Sequence, residues 1–362
     1  MSNKKLSVLG MIAVLMAGWA VLQNRISQNV NVADFSSSLL IEGLQVEAIS
    51  AITITSDKGA KTTTLNRSGK GFVVADKDNY PADIARINRL INNCLDIRTH
   101  EKVTDNPDNH VDLKVTDETA RYQVAFMDKD GKEIVRFFVS ESDGEGGAFA
   151  RLGTANDVYS IQQPPYISAR PMDYVDAQLL QIEQKQIASV AVRTGADSYV
   201  LKASEDKTTV ELQDMPEGKQ VKGIDYKSVF GAINSLRFED VTSVANSPAS
   251  LEFDNTYTCK LDDQTVYKLT LAQKDEKTYA KISADYLDKS QVKVGKDDSE
   301  EQLKEKEAKL LAMDAAKAFT QKHQNWVYQI PSYIANNMTK PLAELLEDVP
   351  EPEAVEPAEA PD

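Results

Sequence analysis

Apolar and polar residues alternate in short runs along most of the chain, and one run is repeated far downstream. Ile49, Ile52 and Ile54 are answered by Ile187, Val190 and Val192 at a constant offset of 138 positions (187 − 49). Alternation over four to eight residues predicts strands. In the first half these are Ala48–Thr55, Lys61–Asn66 and Gly71–Val74. The second half offers Ile187–Arg193, Tyr199–Ala203 and Thr208–Leu212. The period then changes to a helical one. Ile84, Ile87, Ile91 and Cys94 fall on one face after Tyr80-Pro81-Ala82-Asp83, and Tyr226, Val229, Ile233 and Leu236 form the matching face. Two strand pairs follow in each half, Tyr122–Met127 with Ile134–Val139 and Tyr257–Leu261 with Val266–Leu271, joined by Asp-rich turns. Val158–Ile161 and Val327–Ile330 close the series.

Elements matching in order predict a duplicated α+β body, each copy a largely antiparallel sheet crossed by a helix. The short links disfavour a doubly wound parallel sheet. The expected organisation is a cytoplasmic N-terminus at 1–5, a transmembrane anchor at 6–22, a linker at 23–47, and a first repeat at 48–180. A second repeat at 186–346 carries an inserted helix at about 299–322, and an unstructured acidic, Pro-rich tail covers 347–362.

The anchor assignment rests on Leu6–Leu22, which holds no charge and follows Lys4 and Lys5. A helix of that length spans roughly 25 Å. A cleaved signal peptide has the same overall pattern, but Val21–Arg25 lacks the small residues that cleavage requires. The two lysines place the N-terminus in the cytoplasm and the body outside. A net charge of −15 argues against nucleic acid as a partner, since both are polyanions. Cys94 and Cys259, the only cysteines, are read as core filling, with a disulfide between the copies as the alternative.

The insertion at about 285–325 opens with Ser299-Glu300-Glu301-Gln302, a capping box. Leu303, Leu311, Ala315 and Phe319 are read as one apolar stripe, either packed on the protein's own domain or docking a partner; Leu303, Leu311 and Phe319 are the candidate docking residues. Tyr159, Tyr166, Tyr328 and Tyr333 lie near equivalent ends of the two halves and are the candidate ligand surface, the alternative being padding of strand faces. His100, His110 and His323 lack metal-ligand spacing. No catalytic motif and no cofactor signature occurs in the sequence. Glu141–Gly147 and Asp128–Gly131 have acids and glycines but not the spacing of an EF-hand, and are read as hairpin loops.

The Ile-x-Ile strand, the basic hairpin Lys61–Arg67, Phe72, Tyr80–Asp83, Ala148–Leu152 and Val158–Ile161 together resemble the family called domain of unknown function 4340. The resemblance covers about Ala48–Leu180 and more loosely extends to Leu346; His110–Leu113 departs from it. It implies a bacterial, membrane-anchored, extracytoplasmic protein, of a kind often encoded beside ABC-transporter permeases and gliding-type auxiliary subunits; with the 6–22 anchor the expected location is the inner membrane, single-pass, with the body in the periplasm. It assigns no catalytic residue. The expected function is therefore a non-enzymatic accessory subunit of an ABC-type transport or export assembly, acting through protein contacts. The alternatives are a glycan- or peptide-binding module with its ligand between the repeats, and a hydrolase with acids on loops.

Overall fold

The alternation is realised in strands that bury every second residue. In a computed structural model of the chain, residues 37–349 are described, except 143, 145, 196, 294, 296 and 297. The early strands are β1 (Ala51–Ser56), β2 (Lys61–Ser68), β3 (Gly71–Val74) and β4 (Tyr80–Pro81), followed by helix α1 (Ile84–Leu95). Then come β5 (Lys102–Thr104), β6 (Tyr122–Met127), β7 (Glu133–Val139), β8 (Ala148–Leu152) and β9 (Val158–Ile161). The second half runs through β10 (Gln178–Gln181), β11 (Ile187–Thr194), β12 (Asp197–Ala203), β13 (Val210–Leu212), β14 (Lys219–Val221) and helix α2 (Asp225–Phe230). It continues with β15 (Ser235–Arg237), β16 (Asp240–Ser243), β17 (Asn255–Leu261), β18 (Thr265–Lys274) and β19 (Lys277–Tyr286). Helix α3 (Glu300–His323), β20 (Trp326–Ile330), α4 (Ser332–Met338), α5 (Leu342–Leu345) and β21 (Leu346–Asp348) complete it.

The fold is mixed α+β, with mostly antiparallel sheets and few helices. The nine-stranded sheet has the order β4-β3-β2-β1-β6-β7-β8-β9-β5, and the eight-stranded sheet β13-β12-β11-β17-β18-β19-β20-β16. Setting β4 aside, the two orders correspond strand for strand. The small sheets β10-β15 and β14-β21 are additions. In the first large sheet Ile52 sits opposite Phe126 and Ile54 opposite Val124; in the second, Val190 faces Cys259 and Val192 faces Tyr257. All eight side chains are buried, because their parity puts them on the face turned from water.

By spatial contacts the chain divides into two compact units. One comprises the described residues up to Thr63 together with Ile87–Ala169; the other comprises Thr64–Arg86 and the described residues from Arg170 onward. Strand β2 passes from one to the other. The loop before β4 therefore belongs to the second unit. Asp78, at φ 54°, accepts hydrogen bonds from the Thr242 hydroxyl, the Ser243 N–H and the Asn246 amide, each 2.7 Å. Lys77 pairs with Asp240 at 2.6 Å. The Tyr80 ring meets Trp326 at 4.8 Å and Phe238 at 5.8 Å, edge to face.

Several expectations are corrected. Helix α1 buries Ile87, Leu90, Ile91 and Cys94, but Ile84, at its first turn, is exposed. The second helix is shorter than its spacing suggested: it stops at Phe230, and Leu236 lies in β15 opposite Leu180. Backbone pairing with β10 there replaces the helical ladder. Within the span assigned as a linker at 23–47, Leu40 and Ile41 are buried and Leu39 is bridged to Arg98. Glu347 and Asp348, expected in an unstructured tail, are in β21. They pair with Gln220 and Lys219, and an Asp348–Lys219 ion pair at 2.7 Å offsets the acidic character. The Cys94 and Cys259 thiols are free and buried, without a disulfide between them. Among the described residues no helix is long and apolar enough to cross a membrane. The expected anchor at 6–22 lies outside the described residues, as do 350–362.

The Asp78 contacts make a testable claim about acid stability. Hydrogen bonds from Ser243, Thr242 and Asn246 outweigh partial burial and hold the Asp78 carboxyl down at about 2. A lowered acid stabilises the fold above the ordinary carboxylate range, and that contribution is lost as pH falls from about 4 to about 2. Asp78→Ala should cost about 2 kcal/mol at pH 7 in urea unfolding. It should also shrink the loss of stability over that acid window.

Candidate functional site

Helix α3 is built from its cap upward. The Ser299 hydroxyl accepts from the Gln302 N–H, and the Gln302 side chain accepts from the Ser299 N–H, closing the expected capping box. Glu300 and Glu301 in the first turn and Lys322 in the last complement the helix dipole. The helix lies along β19. There the Thr320 hydroxyl donates to Ala284 O at 2.7 Å and accepts from Ala284 N–H at 2.8 Å. One side chain thus satisfies both backbone groups that a neighbouring strand would otherwise engage. Lys306 pairs with Asp298 and Lys309 with Asp288, both at 2.6 Å.

The expected stripe does not form a single face. Residues eight apart are turned by about 80° on an α-helix, so Leu303, Leu311 and Phe319 spread over about 160°. Leu303 is 40% and Leu311 63% exposed. Phe319 turns inward instead, with its ring 5.3 Å from Tyr267 and 4.4 Å from His323. Ala316 is the helix residue most deeply packed apart from His323. Leu310, overlooked in the stripe, is 46% exposed and lies about 20° from Leu303, seven residues away. The outer side of α3 is therefore an apolar patch of Leu303, Leu310 and Leu311 among charges.

The four tyrosines of the candidate surface separate. Tyr328 is fully buried in β20, which corrects its assignment to a surface. Its hydroxyl lies 2.6 Å from His323 Nδ1, and its ring packs 4.9 Å from Phe238 and 6.3 Å from Tyr80. Both sides of β20 are covered, so alternation there does not mark an exposed face. Tyr333 is 70% exposed on α4. In the other unit Tyr159 is half-buried on β9, its hydroxyl 3.4 Å from Asp157, and Tyr166 is 73% exposed.

Tyr166 borders a cleft of about 650 Å³ in the first unit, lined also by Asn93, Arg98, His100, Gln162 and Gln163. The Asn93 amide donates to Tyr166 O at 3.0 Å, and Thr99 N–H donates to Ser38 O at 2.8 Å beneath. The former linker residues thus help to support this cleft. Planar amides, a guanidinium and an open aromatic ring are suited to binding hydroxyl-rich or peptide ligands. The Asp128 turn behaves as read: its carboxylate accepts from Asp130 and Lys132 N–H at 2.9 Å, and Gly131 takes φ 74°. The Glu141–Gly147 segment lies between β7 and β8, with residues 143 and 145 outside the described set. Among the described residues no group of His, Cys, Asp and Glu gathers to hold a metal ion. Burial pushes the Cys259 thiol up to about 12 and the Cys94 thiol higher still, far from a reactive thiolate.

The chain belongs to the family described as domain of unknown function (DUF4340), whose model matches residues 73–256, about half of the chain. That span runs from β3 to β17, later at both ends than the first-repeat motifs suggested. Comparison with curated proteins and with solved structures gives no match.

Burial, with a smaller contribution from Lys322, holds His323 neutral and lowers its pKa from 6.5 to about 4. The unfolded chain therefore takes up this proton first as pH falls. The contribution is intact above about pH 7 and is lost between about 6.5 and 4. Urea unfolding at pH 7.5 and 4.5 should show His323→Phe losing about 2 kcal/mol less over that interval than wild type.

Proposed function

We propose that this protein is a non-enzymatic accessory subunit of an ABC-type transport or export assembly, tethered to the bacterial inner membrane by residues 6–22 with its body in the periplasm. On this reading the body is a duplicated scaffold and acts by contact with partner proteins. The shared strand order of the two large sheets supports the duplication. The observation that carries the functional reading is the outer side of α3. Its inner side is fixed by Thr320 on β19 and by Ala316, Phe319 and His323, while Leu303, Leu310 and Leu311 are 40–63% exposed. Adjacent exposed leucines on an anchored helix cost solubility and suit a groove on a partner.

Capture of the full chain from detergent-solubilised membranes should recover permease and ATPase subunits. Changing Leu303 and Leu311 together to Asp should cut that recovery about ten-fold, a loss of about 1.4 kcal/mol of binding. The melting temperature should hold, because both side chains are exposed. Phe319 is unsuited to this test, since it packs inward. A lone wild-type protein, or undiminished recovery by the double variant, contradicts the proposal.

The cleft beside Tyr166 favours a second reading, an extracytoplasmic glycan- or peptide-binding module. A ligand at a hundred times its Kd would raise stability by about 2.7 kcal/mol. A thermal-shift panel of cell-wall sugars and peptides should then show a clear rise with at least one member, abolished by Tyr166→Ala. Flat traces throughout would retire this reading.

A further inference from the structure

In the first large sheet, the side opposite the Ile52 and Ile54 row is covered near β7–β9. Val115 and Ala120 pack with Phe138 and Val158. Arg151 lies 4.6 Å over the Phe138 ring and donates to Val115 O at 3.0 Å. The second sheet has a shorter connection at the corresponding place, between Ser243 and Asn255. Its outer side carries a cavity of about 470 Å³, bordered by Arg193, Thr256, Thr258, Lys268 and Leu342 among others.

Strand register places five cations on that side. One cross-strand row runs Lys202, Ser189, Lys260, Val266. The next runs Val200, Ala191, Thr258, Lys268, and the third Ser198, Arg193, Thr256, Thr270, Lys281. None of Arg193, Lys202, Lys260, Lys268 and Lys281 forms an ion pair with a described residue; Lys281 lies 4.4 Å over the Phe253 ring. Acids stand at the margins: Glu211 opposite Lys202, Asp214 on the cavity rim, and Asp285 held by Lys289. In a chain of net charge −15, an open face of this sign stands against the charge of the whole and attracts anions.

We propose that this face is the docking site of the chain's own acidic segment, residues 350–362. That segment contains Glu351, Glu353, Glu356, Glu359 and Asp362 and no Lys or Arg, matching five cations with five acids. It also contains Pro350, Pro352, Pro357 and Pro361, which withhold backbone donors and suit it to crossing a sheet face rather than adding a strand. It departs from β21, and Leu342, a few residues before that strand, already borders the cavity. Thirteen residues reach at most about 45 Å. The span from β12 to β19 is four strand spacings, about 19 Å. The segment is long enough to lie across every row, and the tether supplies a high effective concentration.

The test uses the full chain and a chain ending at Val349, with a fluorescent synthetic peptide of residues 350–362 read by anisotropy. The peptide should bind the shortened chain and bind the full chain at least ten-fold more weakly, because the site is already occupied. Binding should fall at least ten-fold from 50 to 500 mM salt, and with Arg193→Glu plus Lys268→Glu. A peptide with its acids changed to Gln or Asn, which needs no altered protein, should not bind. Equal binding to both chains, no binding to the shortened chain, or indifference to peptide charge overturns the proposal. So does a tail-dependent dimer, which would place the segment on a second copy.

Discussion

Side-chain parity in the two central strands is the constraint on which the rest depends. A strand offers alternate residues to opposite sides, so Ile52 and Ile54 on β1 and Val190 and Val192 on β11 commit the central strands of each sheet to one buried face. A slip of one residue would put those side chains into water and bring threonines, an arginine and alanines inward. The antiparallel neighbours β6 and β17 answer with Val124, Phe126, Tyr257 and Cys259. With that register held, the opposite side of each sheet is also determined residue by residue. This is how cations far apart in sequence come to share one surface on the second sheet.

The buried side of the second unit depends on a segment from early in the chain. Residues 64–86 bring Lys77, Asp78 and Tyr80 to β16 and β20. Asp78 takes a left-handed conformation so that its carboxylate meets three donors, and Tyr80 completes an aromatic cluster with Trp326, Phe238 and Tyr328. Further along, His323 meets Tyr328 and Phe319, joining α3 to the same cluster. The helix that carries the exposed leucines is therefore fixed by core contacts on its inner side, and its outer side is left partly exposed among the described residues.

Long alternating segments were legible from residues alone, because period and burial coincide there: β1, β6, β11 and β17 lie close to their expected places. The capping box at Ser299 was legible for a local reason, since both of its hydrogen bonds lie within four residues. What was not legible depends on distant partners. Leu236 has helical spacing but goes to a strand because Leu180 is opposite it. Tyr328 looked like a surface aromatic because nothing nearby in sequence reveals that Tyr80 and His323 cover it. Leu311 and Phe319 share an eight-residue spacing that approximates a stripe in a list and not on a helix. That Arg193 and Lys268 share a face without an ion pair among the described residues appears only once register brings their rows together.

Site-specific photo-crosslinking is the most direct test of whether the exposed side of α3 is the working surface. A photoreactive residue at Leu311 in the full chain, illuminated in intact membranes, should give a discrete adduct with a transport subunit, whereas the same residue at half-buried Phe319 should not. Absence of an adduct at Leu311, or equal adducts at both positions, would contradict the account.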